Sequence, residues 1–213
     1  MILEVQHETQ LSYSEPVAEW LTELRMQPVS DDSQSCHSFA INISQQAPVH
    51  SYLDGFGNRV HHFNLLTPHS QIRLLAASVV ETSLKPVDLL GSPAAFPVDF
   101  SKADCDIHNF LSFRGPITAS PLIAPLLSQL QPAEHERVGL WMQRVGSYLH
   151  EKFEYARYVT DSASPIDDIL THGKGVCQDF AHLMIAILRS FEVPARYVSG
   201  YVHRPNKESQ SHA

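Results

Sequence analysis

The chain has 213 residues, 43% hydrophobic and 18% charged, with a formal net charge of −8. Such a chain can bury a core without disulfide or metal support, as one large domain or two modest ones. The acidic balance and the lack of a Lys/Arg-rich run argue against a nucleic-acid or anionic-membrane footprint, and no apolar run approaches the ~18 residues of a membrane helix.

The first residues, MILEVQHETQ, lack a basic n-region and an apolar h-region, so the expected compartment is the cytoplasm. From Ile2 to about Ser83, short alternations such as Leu3 with Val5, and Phe39 with Ile41 and Ile43, predict an antiparallel β region. Asp54-Gly55-Phe56-Gly57-Asn58 predicts a hairpin between VHSYL and RVHHFNLL, its glycines supplying positive φ, and IRLLAASVVETS predicts one more strand. The stretch KPVDLLGSPAAFPVDFSKADCDIHNFLS carries three prolines and no sustained period, as a connection wrapped over a surface would. The expected organisation is a β domain over 1–85, a connecting segment over 86–112 and a core over 113–213.

Helical patterns follow. Ser120-Pro121 suits the N-cap and first position of a helix through PLIAPLLSQLQ, with Leu122, Leu126 and Leu130 on one side. In EHERVGLWMQRVGSYLHEKF, Val138, Trp141, Met142, Val145, Tyr148, Leu149 and Phe153 recur at three and four, which predicts a core-facing stripe. Ser164-Pro165 starts a short helix, IDDIL, with Asp167 and Asp168 in its first turn and Gly173 past its end. A longer one runs from Cys177 with Phe180, Leu183, Met184, Ile187, Leu188 and Phe191 on one face, and ends at Val193-Pro194. The Tyr/Val-rich ARYVSGYV predicts a return to strand, with a hairpin partner beginning at His212 after a polar loop. Strands first, helices later and a final strand predict an α+β fold.

The cysteines Cys36, Cys105 and Cys177 are odd in number without CxxC spacing, which points to neither a disulfide framework nor a paired zinc site. Cys105 with His108 is a lone pair, and a strand points His61 and His62 to opposite faces, so neither a metal site nor a cofactor is expected. Cys177 stands apart because it opens a helix, where unpaired N–H groups and the positive dipole end stabilise a thiolate. The glycine turn Gly173-Lys174-Gly175-Val176 leaves the backbone open to a substrate carbonyl, and the Cys177 N–H could help hold an oxyanion. The bland alternative is a small apolar residue heading a core helix, since cysteine is among the most buried residue types. A nucleophile needs a base, and His182 lies about 140° around the helix from Cys177, Asp179 about 200°. Asp179 therefore supports the helix start, His182 packs or faces solvent, and the base must come from elsewhere.

The segments GVCQDFAHLMIAILRS, VPARYVSGYV and SHA are very similar to the core of the bacterial transglutaminase-like family, within the papain-like superfamily. FEY at 153–155 followed by SPIDDIL resembles that family's approach to its cysteine, and YSEPV, LRMQPV and DGFGNRVHHFN resemble its N-terminal β domain. The resemblance implies a transglutaminase-like core in which Cys177 is the nucleophile and His212, opening an H-A-W-type strand, is the catalytic histidine. It also implies an Asp on a following strand that orients the histidine. No residue matches that Asp, and the core is expected to be truncated after Ala213.

The implied chemistry is acyl transfer on a peptide or carboxamide bond through a thioester, completed by water in a peptidase or amidase, or by an amine in a transglutaminase. Tyr155 is a candidate aromatic wall or second oxyanion donor, against the reading of a tyrosine that buries its ring and leaves its hydroxyl wet. His203 and His172 are rival bases. The implied partner is a peptide or protein substrate, with no nucleic acid or membrane, and the oligomeric state is left open. The alternative is a catalytically silent module that binds a protein or peptide.

Overall fold

A computed structural model describes residues 1–83, 88–100, 105–157, 159–160 and 163–203, apart from the side chains of Cys105 and Asp106. His212 lies outside these residues. The chain divides into two compact units, Met1–Pro86 and Val87–Ala213.

The first unit consists of two three-stranded antiparallel sheets. One pairs β1 (Ile2–Val17) and β3 (Gln34–Ile43) on either side of β6 (His69–Thr82); the other pairs β2 (Trp20–Leu24) and β4 (His50–Leu53) on either side of β5 (Arg59–Leu65). The period of two along β6 turns Ile72, Leu74, Ala76 and Val80 inward. Phe63, Leu65, Ile72 and Leu74 form the core, flanked by Leu11, Trp20, Leu24 and Ile43. The β4–β5 hairpin closes on Asp54, whose Oδ1 accepts the N–H groups of Phe56 (3.0 Å) and Asn58 (2.9 Å). The Asn58 side-chain amide leads these hydrogen bonds in holding the Asp54 carboxyl at a pKa of about 2. Of the two glycines in this turn, only Gly57 has a positive φ, at 77°.

In the second unit, residues 89–96 of the segment expected to be a surface connection meet the start of α2 (Val138–Lys152). Val138 N–H donates to Ala94 O (2.8 Å), Phe96 N–H to Glu136 O (3.0 Å), and the Arg137 guanidinium to the carbonyls of Leu90 and Ser92. This approach requires Gly139, where a Cβ would lie 1.9 Å from the Leu89 carbonyl oxygen. Phe96 and Phe191 meet the fully buried Trp141 edge-on at 5.1 and 5.4 Å, and the indole N–H donates to Leu130 O at 2.6 Å. The stripe anticipated on α2 is the buried one: Val138, Trp141, Val145 and Leu149 face the core, with Met142, Tyr148 and Phe153 at its margin.

Ser120 caps the next element as anticipated, its hydroxyl accepting Leu122 N–H at 3.1 Å, but the first turn, Pro121–Ile123, is a 3₁₀ turn that leads into α1 (Ala124–Leu130). Ile123, three residues ahead of Leu126 and seven ahead of Leu130, joins them inside, and Leu122 is exposed. The rest of the unit is β7 (Glu154–Tyr155), α3 (Ile166–His172), β8 (Lys174–Gly175) and α4 (Cys177–Ser190). Residues 194–203 form no strand, contrary to expectation. A strand exists only through its ladder, and the anticipated partner beginning at His212 is outside the described residues. The architecture is α+β: an N-terminal antiparallel β unit, then a unit of helices and short strands. No helix among the described residues is long and apolar enough to cross a membrane.

Candidate active site

The turn before Cys177 is built by three backbone devices. At the end of α3, Gly173 takes the left-handed conformation (φ 66°) and its N–H closes the helix on Ile169 O at 2.9 Å. The chain then enters β8, which pairs in parallel with β7: Glu154 N–H donates to Gly173 O and Ala156 N–H to Gly175 O, both at 2.9 Å. Glu154 and Lys174, opposite each other, form an ion pair at 2.9 Å. Finally, Val176 is extended (φ −99°, ψ 175°) as the N-cap of α4, and its N–H donates to Asp179 Oδ2 at 2.7 Å.

Asp179 is 3% exposed, and the same Oδ2 accepts the Thr160 hydroxyl. It fits only beside a glycine: a Cβ on Gly175 would lie 2.8 Å from Asp179 Cβ and 2.9 Å from Oδ2. Asp179 thus supports the helix start, as its place in the first turn suggested. The contribution of Thr160 carries no local sequence signal, because a loop brings it to Asp179 from nineteen residues away.

Cys177 is the first residue of α4 and is exposed. Beyond it the helix is anchored, with Leu183, Ala186 and Ile187 fully buried. The N-terminal end of such a helix carries a partial positive charge. Tyr155 sits opposite Gly175 in the β7–β8 pair and is 53% exposed, flanking the cysteine turn from the adjoining strand.

His182 is buried, its ring 5.2 Å from that of Tyr197, and its Nδ1 has no hydrogen-bond partner among the described residues. Burial pulls its imidazole below the ordinary range, an effect that the Asp179 carboxylate partly offsets. Burial pushes the Tyr197 phenol up, and the negative charge of a Cys177 thiolate adds to this, so Tyr197 belongs to the electrostatic surroundings of the sulfur. His172 is exposed in the last turn of α3, and His203 is exposed in the segment after α4. Among the described residues, no group of three His, Cys, Asp or Glu side chains is arranged to hold a metal ion.

The bacterial transglutaminase-like N-terminal region matches residues 3–81, and the transglutaminase-like superfamily core matches residues 129–213. An uncharacterized protein of Mycobacterium leprae is 29% identical over 205 residues, which cover 94% of this chain and 71% of that protein. One of Mycobacterium tuberculosis is 26% identical over 209 residues, covering 93% of this chain, which spans only 65% of that relative's length. Among solved structures, a candidate cysteine protease from Cytophaga hutchinsonii aligns with a TM-score of 0.77 at 20% identity, over 96% of this chain and 71% of the other. That likeness shows a shared fold. A region similar to the bacterial transglutaminase-like N-terminal region thus precedes one similar to the transglutaminase-like superfamily core, the order of parts that the sequence resemblance implied.

Proposed function

We propose that this chain provides the nucleophile of a cysteine-dependent acyl-transfer enzyme that acts on peptide or carboxamide bonds. The observation that carries this reading is an exposed cysteine, Cys177, at the N-terminus of an otherwise buried helix. The Cys177 thiolate attacks the substrate carbonyl, and a C–S bond forms as the C–N bond breaks. The imidazolium of His212 gives its proton to the departing ammonia or amine, and a thioester remains. Water then completes hydrolysis, or an amine completes cross-linking. Hydrolysis is favoured, because water is always present and no amine site is visible among the described residues. The Cys177 N–H is one oxyanion donor, and Tyr155 is proposed as a wall or second donor. A peptide or protein is the proposed substrate, and the cytoplasm, where a thiol stays reduced, is the proposed compartment.

Incubation with a glutamine-containing peptide, followed by intact-mass analysis, tests the reading. The expected result is ammonia release and an acyl adduct on Cys177, both lost in Cys177→Ala and reduced in His212→Ala. Absence of any adduct, together with alkylation of Cys177 no faster than a simple thiol, would favour a silent peptide-binding module instead.

A further inference from the structure

We infer that Asp179 is a positioning residue for Cys177, acting through the Val176 N–H and the Thr160 hydroxyl. Asp179 does not belong to a catalytic triad in this reading, and it need not touch substrate. Its carboxylate is almost wholly buried two residues after the cysteine, and a single oxygen, Oδ2, accepts both hydrogen bonds. The bond from Val176 holds the residue before the cysteine extended, so that the helix begins at Cys177. The bond from Thr160 fastens the chain that follows β7 to the same oxygen. The β7–β8 pair secures the other side of the turn, and Gly175 supplies the space that the carboxylate fills. Without the acceptor, the first turn can unwind and carry Cys177 off the helix start that presents it.

The sign of the effect separates this role from simple electrostatics. A buried carboxylate close to a thiolate is repulsive, so removing its charge alone should make the sulfur more reactive. Removing a positioning acceptor should make it less reactive. Cys177 is already exposed, so unwinding gains it little access. The other titratable groups around the sulfur, Tyr197 and His182, and the nearby Lys174–Glu154 pair are the same in every variant below.

The inference rests on Cys177 being the reactive thiol, and the experiment is the rate at which iodoacetamide modifies Cys177 in the folded full-length chain at neutral pH. Asp179→Ala is expected to slow modification about five-fold, the change that corresponds to losing one helix cap. Asp179→Asn, which keeps an acceptor oxygen but no charge, is expected to restore the rate to within about two-fold of native. Thr160→Val, which keeps the carboxylate, is expected to slow it about two-fold.

Faster modification in both Asp179 variants would overturn the inference in favour of charge repulsion. Native rates in Asp179→Ala alongside a lowered melting temperature would overturn it in favour of a purely structural role. Should Asp179→Ala fail to fold, a native rate in Thr160→Val overturns it instead. A native chain whose Cys177 reacts no faster than a simple thiol overturns the acyl-transfer reading, whereas the order of the variants decides the role of Asp179.

Discussion

His182 shows how a residue close in sequence to Cys177, the proposed nucleophile, can serve the fold instead. Its ring is buried against Tyr197, and desolvation holds its imidazole below the ordinary value of 6.5, with Asp179 opposing the shift. The unfolded chain therefore binds a proton at a higher pH than the folded one does. The stability that His182 contributes is complete above about pH 6.5 and is lost as the pH falls through that value toward the folded-state pKa. Replacing His182 with Gln is expected to flatten the decline in urea-unfolding midpoint between roughly pH 7 and 5. Some slope should persist, because burial and then Arg59 hold His61 low in the other unit. An unchanged slope in the variant would mean that His182 titrates alike in both states.

At the scale of the element, α2 carries two glycines with opposite demands. Gly139 lies against the Leu89 carbonyl and has no room for a methyl group, whereas Gly146 has nothing within 4 Å of the place a Cβ would occupy. Gly146→Ala is expected to stabilise the second unit by about 0.5–1 kcal/mol, and Gly139→Ala to destabilise it by about 1–3 kcal/mol, each measured by urea unfolding. The core stripe of α2 was legible in sequence because residues three and four apart necessarily share a helix face. The same rule admits both Ile123 and Leu122 beside Leu126 and Leu130, and packing alone selects Ile123 as the buried one. The turn before Cys177 was likewise legible up to Asp179, whose support is local, and illegible at Thr160, whose contact depends on a loop path. The strand expected over 195–202 is not seen among the described residues: its composition suits a strand, but a strand needs a ladder, and the partner anticipated from His212 lies outside those residues.

At the scale of the whole molecule, the two units have separate hydrophobic cores with no residue in common. Removing a core ring in one unit should therefore leave the protection of the other intact. Phe63→Ala, which empties the place against which Trp20 packs edge-on at 5.6 Å, is expected to destabilise the first unit by about 3–5 kcal/mol. Hydrogen exchange should then accelerate in peptides from β5 and β6 and stay at native rates in α2 and α4. Equal acceleration in both units would show that they unfold as one. Within the second unit, the helix that begins at Cys177 has mechanical significance. Its first residue meets solvent, whereas Ile185, Ala186, Ile187 and Leu188 are all embedded. The sulfur is thus the tip of a stake driven into the core, and a molecule pressing on it works against the whole unit. Its aim is inherited from buried apolar side chains along the same helix, so a methyl group lost near Ile187 would blunt it without altering a single polar contact.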